Sequence, residues 1–149
     1  MKKAAKKESQ AKPVRGAPTK AALRSDAFAR AERNAKSYAK DPKSLRILVE
    51  KAARKAASVP QDVFSENWPY LQTMLRLVRA HTRDEFRDVS EEALLSILAA
   101  LAYLVDPFDL IPDEIPFLGY VDDATVVDFA VVKAKRALDD FMIWETTAQ

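Results

Sequence analysis

The chain has 149 residues, 48% of them hydrophobic, which is enough for one domain with a buried core. Two glycines and a preponderance of Ala, Leu, Lys, Arg and Glu favour helices over sheets, and the absence of cysteine excludes disulfides, thiol catalysis and thiolate metal sites and suits a cytosolic protein. The net charge of +2 hides a division: residues 1–59 carry 17 Lys+Arg against 5 Asp+Glu, and residues 60–149 carry 7 against 17, so a basic arm able to attract nucleic acid, anionic lipid or an acidic protein surface joins an acidic body.

Residues 1–18 are Lys-rich and carry Pro13, Gly16 and Pro18. With few large apolar side chains they bury too little surface to offset ordering, so a disordered basic arm is expected. No apolar run of signal-peptide length follows the positive start, so a secretory signal is not expected. Residues 20–39 read as a helix with a thin face of Leu23, Ala27, Ala31, Ala35 and Tyr38, marginal by itself because alanines bury little. Asp41 is placed to cap the next helix and Pro42 suits its first turn. Leu45, Leu48, Val49, Ala52 and Ala56 then recur at helical period, opposite Lys43, Arg46, Lys51, Arg54 and Lys55, and Val59-Pro60 ends the element.

A third helix is expected from about Trp68 to His81, capped by Ser65 or Asn67. Its apolar stripe is Leu71, Met74, Leu75 and Val78, with Arg76, Arg79 and Arg83 elsewhere. Residues 82–88 form a polar connector pinned to the core by Phe86. Ser90 opens a fourth helix with Glu91 and Glu92 in its first turn, where the helix dipole favours negative charge. Ala93 to Val105 reads ALLSILAALAYLV. A helix apolar all round is either the centre of a bundle or inside a bilayer. Thirteen residues reach about 20 Å, short of the ~30 Å hydrocarbon core, so the bundle reading is preferred.

Tyr103 to Asp123 then packs three prolines, five aspartates and one glycine among many apolar residues. Pro107, Pro112 and Pro116 each remove a backbone donor, so this is a structured connector and not one helix. Asp122 or Asp123 is expected to cap a fifth helix running to about Trp144. Val127, Ala130, Val131, Ala134, Leu138 and Phe141 line one of its faces, and Lys135, Arg136, Asp139 and Asp140 mark the other.

The run Pro107, Asp109, Leu110, Ile111, Pro112, Asp113, Ile115, Pro116, Leu118, Gly119, Tyr120, Asp122 and Asp123, with the later Trp144-Glu145, resembles the YkvA-like family, a small bacterial domain of unknown function. The resemblance extends loosely upstream to about Tyr38 and leaves residues 1–35 outside. It implies a helical hairpin and a tendency toward membrane association, and it implies no catalytic residues. This chain departs from the family pattern in having Asp84 to Phe86 where a Gly-Tyr turn is usual, and in Glu114, which makes the connector more acidic. The organisation expected is a basic arm over residues 1–18, N-terminal basic helices over 19–58, and a YkvA-like hairpin domain over 59–149.

Several chemistries are set aside. Gly16 and Gly119 are the only glycines, so no glycine-rich phosphate loop exists, and neither G-x-S-x-G nor H-E-x-x-H occurs. His81 is the sole histidine, so a multi-histidine metal site within one chain is excluded. The carboxylates Asp106, Asp109, Asp113, Glu114, Asp122 and Asp123 are the one group that invites a ligand. Hard divalent cations take oxygen donors, and Asp109, Asp113, Asp122 and Asp123 are the candidates. Their spacing does not match an EF-hand loop. Capping and turn formation account for the same residues, so Pro107, Asp109, Pro112, Asp113, Pro116, Gly119, Asp122 and Asp123 are read as connector and cap residues. Phe108, Phe117 and Tyr120 either close a bundle end or form a partner-binding patch. Trp144 and Ile143 face the bundle or a lipid interface.

The expectation is therefore an all-α bundle of about four helices built on the 90–145 hairpin. Its function is read as a non-enzymatic module, without cofactor, that docks on an anionic membrane surface or a protein partner. The location expected is cytoplasmic, with peripheral rather than integral membrane contact. Two alternatives are kept: a carboxylate-dependent divalent-metal site that supports catalysis, and non-specific nucleic-acid binding through the basic N-terminal residues.

Overall fold

The computed structural model of the protein describes residues 26–105 and 118–147, with side chains from Phe28 to Val105 and from Asp123 to Thr147. Among the described residues there are five α-helices and no strand: α1 (Asp26–Ala39), α2 (Pro42–Ser58), α3 (Trp68–Thr82), α4 (Glu91–Val105) and α5 (Leu118–Thr147). Two short 3-10 turns, Gln61–Val63 and Ser65–Asn67, join α2 to α3.

Local chemistry sets most of the boundaries. Asp41 sits in extended backbone before α2 and accepts from the Lys43 N–H at 3.2 Å and the Ser44 hydroxyl at 2.7 Å. These two bonds, the larger contribution coming from Ser44, hold the Asp41 carboxyl below its ordinary range. Ser90 does the same for α4, its Oγ accepting from the Ala93 N–H at 3.1 Å. The end of α3 is a left-handed cap. Asp84 has φ 59°, its N–H bonds to His81 O, and the Glu85 N–H reaches back to Ala80 O at 2.9 Å. That pair of bonds is the Schellman arrangement, usually built on glycine. The turn thus closes with an aspartate in the position that glycine normally holds in such a cap.

The elements close on one core. α4 packs against α1, α2 and α5, while α3 packs against α2 and α5. As its sequence suggested, α4 lies at the centre: Ile97, Leu98, Ala100, Leu101, Tyr103 and Leu104 are all buried. The stripes expected on α2, α3 and α5 are buried as read, including Leu45, Leu48, Val49, Met74, Val78, Val127, Leu138 and Phe141. Phe86 is buried too, and its ring meets Phe141 at 5.1 Å and Trp144 at 5.3 Å. Trp144 therefore lies against the bundle.

α1 joins this core through Phe28, Ala31 and Ala35. The Phe28 ring stands edge-on to Tyr103 at 6.2 Å and to Phe129 at 6.1 Å, so one aromatic side chain ties α1 to both α4 and α5. The helices on either side of residue 59 share one core, although their charge changes sign there.

Candidate functional site

Most of the connector expected to carry any chemistry (Pro107, Asp109, Pro112, Asp113 and Pro116) lies outside the described residues, as do Asp106, Phe108, Glu114 and Phe117. The cap assignment changes. α5 begins at Leu118, so Gly119 stands in its first turn and Asp122 and Asp123 stand in its second. Neither aspartate occupies the position before the helix that a cap requires. Leu118 to Val121 contain no proline, so the helix extends upstream of the acidic pair.

Asp123 is only 1% exposed, in a segment where Ala124, Val126 and Val127 are also buried. A carboxylate so deeply buried needs interactions that offset its desolvation, and Asp123 has such interactions with its neighbours. Among the described residues, no three His, Asp or Glu side chains converge in a way that would hold a metal ion.

Polar chemistry does assemble along the seam between α3 and α5. The Asn67 amide, read as a candidate cap, makes no cap bond and donates instead to the Asp128 carboxylate, 61 residues away. The Tyr70 hydroxyl donates to Asp139 Oδ1 at 3.0 Å. Lys135 Nζ donates to the Tyr70 oxygen at 2.8 Å and to Asp139 Oδ2 at 3.0 Å, and lies 5.1 Å from the Tyr70 ring centroid. The bonds from Tyr70 and Asp139 push Lys135 above its ordinary pKa, and Lys135 holds Asp139 below its own. Further along, Arg76 grips both oxygens of Glu145, at 2.7 and 3.1 Å. Asn67, Tyr70 and Arg76 meet Asp128, Asp139 and Glu145 in that order, so α3 and α5 run in the same direction and the seam sets their register. An ammonium kept protonated and a carboxylate kept ionised make a clamp, and neither is poised for proton transfer near neutrality.

His81 belongs to the α3 cap. Partial burial lowers its pKa, the Arg87 charge lowers it further, and the Phe86 backbone and Asp84 pull it partly back. A neutral imidazole suits this half-buried position beside Arg87.

Among the surface features of the described residues, two matter most here. A groove of about 580 Å³ runs between α1, α4 and α5. Its floor is Phe28, Leu95 and Ala99, and its rim mixes Glu32, Glu91 and Glu92 with Lys36 and Lys133. Lys133 stands 3.8 Å from Glu92 and 5.7 Å from the Phe129 ring. The sequence gives little sign of this groove, because its wall needs Phe28 brought onto α4. The second feature is the outward side of α2, where Lys43, Arg46, Lys51 and Arg54 are exposed together with Ile47, at 52% exposure.

The fold and these surfaces define a small all-α bundle domain wrapped around a buried apolar helix. Residues 93–129 match a family model described as a protein of unknown function, DUF1232. The chain is also similar to the "Uncharacterized membrane protein YkvA" of Bacillus subtilis (strain 168), with 31% identity over 75 residues, half of this chain and 71% of that protein. No solved structure matches. The chain belongs to the YkvA-like family.

Proposed function

We propose that the protein is a non-enzymatic module that associates peripherally with a membrane surface. The observation that carries this reading is the place of α4. Its apolar side chains are used inside the bundle, and among the described residues no helix is long and apolar enough to cross a bilayer. The Bacillus relative is nevertheless called a membrane protein. Association from one side reconciles the two, and the basic N-terminal part of the chain supplies the attraction to anionic lipid. The non-enzymatic part is supported by the roles of the titratable groups, with His81 in a helix cap and Tyr70, Lys135 and Asp139 in a clamp.

Cell fractionation tests the reading. The protein is expected in the membrane pellet at low salt and in the supernatant after a carbonate wash. Retention after carbonate would make it integral, and full recovery in the first soluble fraction would remove the membrane from its function.

A further inference from the structure

We propose that the outward ridge of α2 is the docking surface for an anionic lipid bilayer, with Ile47 entering the headgroup layer and Lys43, Arg46, Lys51 and Arg54 meeting lipid phosphates. This rests on the peripheral reading above and assigns it a place on the molecule.

The ridge follows from helical geometry. At about 100° per residue, Lys43, Ile47 and Arg54 lie within about 25° of the direction opposite the buried stripe of Leu45, Leu48, Val49, Ala52 and Ala56. Arg46 and Lys51 flank them at roughly 60–80° on either side. Ile47 thus sits in the middle of four exposed cations, half of its surface open to water. The one acidic residue on this side, Glu50, leans toward Arg79 of α3, 3.4 Å away.

Several cations elsewhere are engaged, Arg76 with Glu145, Arg87 with Asp84, Lys133 with Glu92 and Lys135 with Asp139, while Arg33, Lys36, Lys40, Arg83 and Arg136 are exposed as the ridge cations are. Among the described residues, the four ridge cations have no such ion pair, so their charge is available to an outside partner.

Shape and chemistry select the partner. A single outward helix face is convex and fits a plane better than it fits a small ligand. An apolar side chain ringed by cations matches the boundary between headgroups and acyl chains, where lysine and arginine stems lie along apolar surface with their charges outward. Nucleic acid would use the cations and leave Ile47 without a role, since its backbone binding is electrostatic.

The test uses the full chain and flotation with phosphatidylcholine vesicles, with and without phosphatidylglycerol. Wild-type protein is expected to float with the anionic vesicles only, and to be released by salt. Lys51→Gln with Arg54→Gln should lower partitioning about 25-fold, at about fivefold per cation. Ile47→Ser should lower it, and Ile47→Trp should raise it because tryptophan favours the interface. All these positions are exposed, and circular dichroism confirms that each variant remains folded.

Unchanged flotation in every α2 variant, with loss on deleting residues 1–18, would overturn the ridge and leave the peripheral reading intact. Membrane recovery in cells without flotation of the pure protein would point to a protein receptor and also overturn it. Equal binding to duplex DNA, sensitive to the α2 cations and indifferent to Ile47→Trp, would reassign the ridge to nucleic acid.

Discussion

Leu98→Ala puts the position of α4 to a direct test. Leu98 is 0% exposed on a helix packed against three others. The substitution removes about three methylene equivalents from the core, or roughly 2.4 kcal/mol at ~0.8 kcal/mol each. A cavity term adds to this, because neighbours on three sides restrict collapse, and the total falls at ~3–5 kcal/mol. Against a total stability of about 5–15 kcal/mol, this is a large fraction. For a chain of this size each kcal/mol moves Tm by about 3 °C, so a fall of roughly 10 °C or more is expected. Urea denaturation followed by circular dichroism, without detergent, measures it through the midpoint at constant slope. Val132→Ala is the control, at 77% exposure on α5, and should stay within about 0.5 kcal/mol. A folded Leu98→Ala protein that loses less than about 0.5 kcal/mol, or a wild type that needs detergent to stay in solution, would refute the central-core reasoning.

Other outcomes follow from the same structure. Phe141→Ala removes a buried ring that stacks on Trp144 and meets Phe86 edge-on, and should cost ~3–5 kcal/mol in urea denaturation. Asp84→Gly relieves a non-glycine left-handed residue and should raise stability by up to ~1 kcal/mol, less the exposed ion pair with Arg87. A double-mutant cycle on Arg76→Ala and Glu145→Ala should give a coupling of about 0.2–1 kcal/mol, falling with salt because both groups are partly in water. The lowered pKa of His81 means that the unfolded chain binds its proton more readily than the folded one. Its contribution is therefore full above the ordinary imidazole value of 6.5 and is lost as pH falls through and below it. Tm should drop on acidification in that range, and the drop should shrink in His81→Gln. Millimolar Mg²⁺ or Ca²⁺ should leave Tm unchanged; a saturable rise abolished by Asp109→Asn or Asp122→Asn would restore the metal reading.

Periodicity and capping carried much of the fold into view. The α2 stripe, the Asp41 cap, the helix start at Ser90 and the uniformly apolar α4 are all local signals, and the structure uses each as read. Long-range choices were not legible. Asn67 has the chemistry of a cap, yet its amide serves Asp128 on another helix, and nothing within a few residues of Asn67 announces that partner. Phe28 was missed because the α1 face was drawn through alanines; its importance arises from Tyr103 and Phe129, both distant in the chain. The start of α5 was misjudged because Pro116 and Gly119 look like breakers and an aspartate pair follows them. A glycine in a first turn costs little, since the backbone donors there have no intrahelical acceptor in any case.

The wrapping of α4 also has a consequence in time. Synthesis delivers α4 while one of its walls does not yet exist, because α5 comes later in the chain. At about 5–20 residues per second, the roughly 40 residues between Val105 and Thr147 take a few seconds to add. During that interval the nascent chain presents an apolar helix covered by α1 and α2 alone, a surface of the kind that chaperones and insertion machinery bind. A stop codon or cleavage ahead of α5 would make this exposure permanent, so such fragments are expected to aggregate or be degraded.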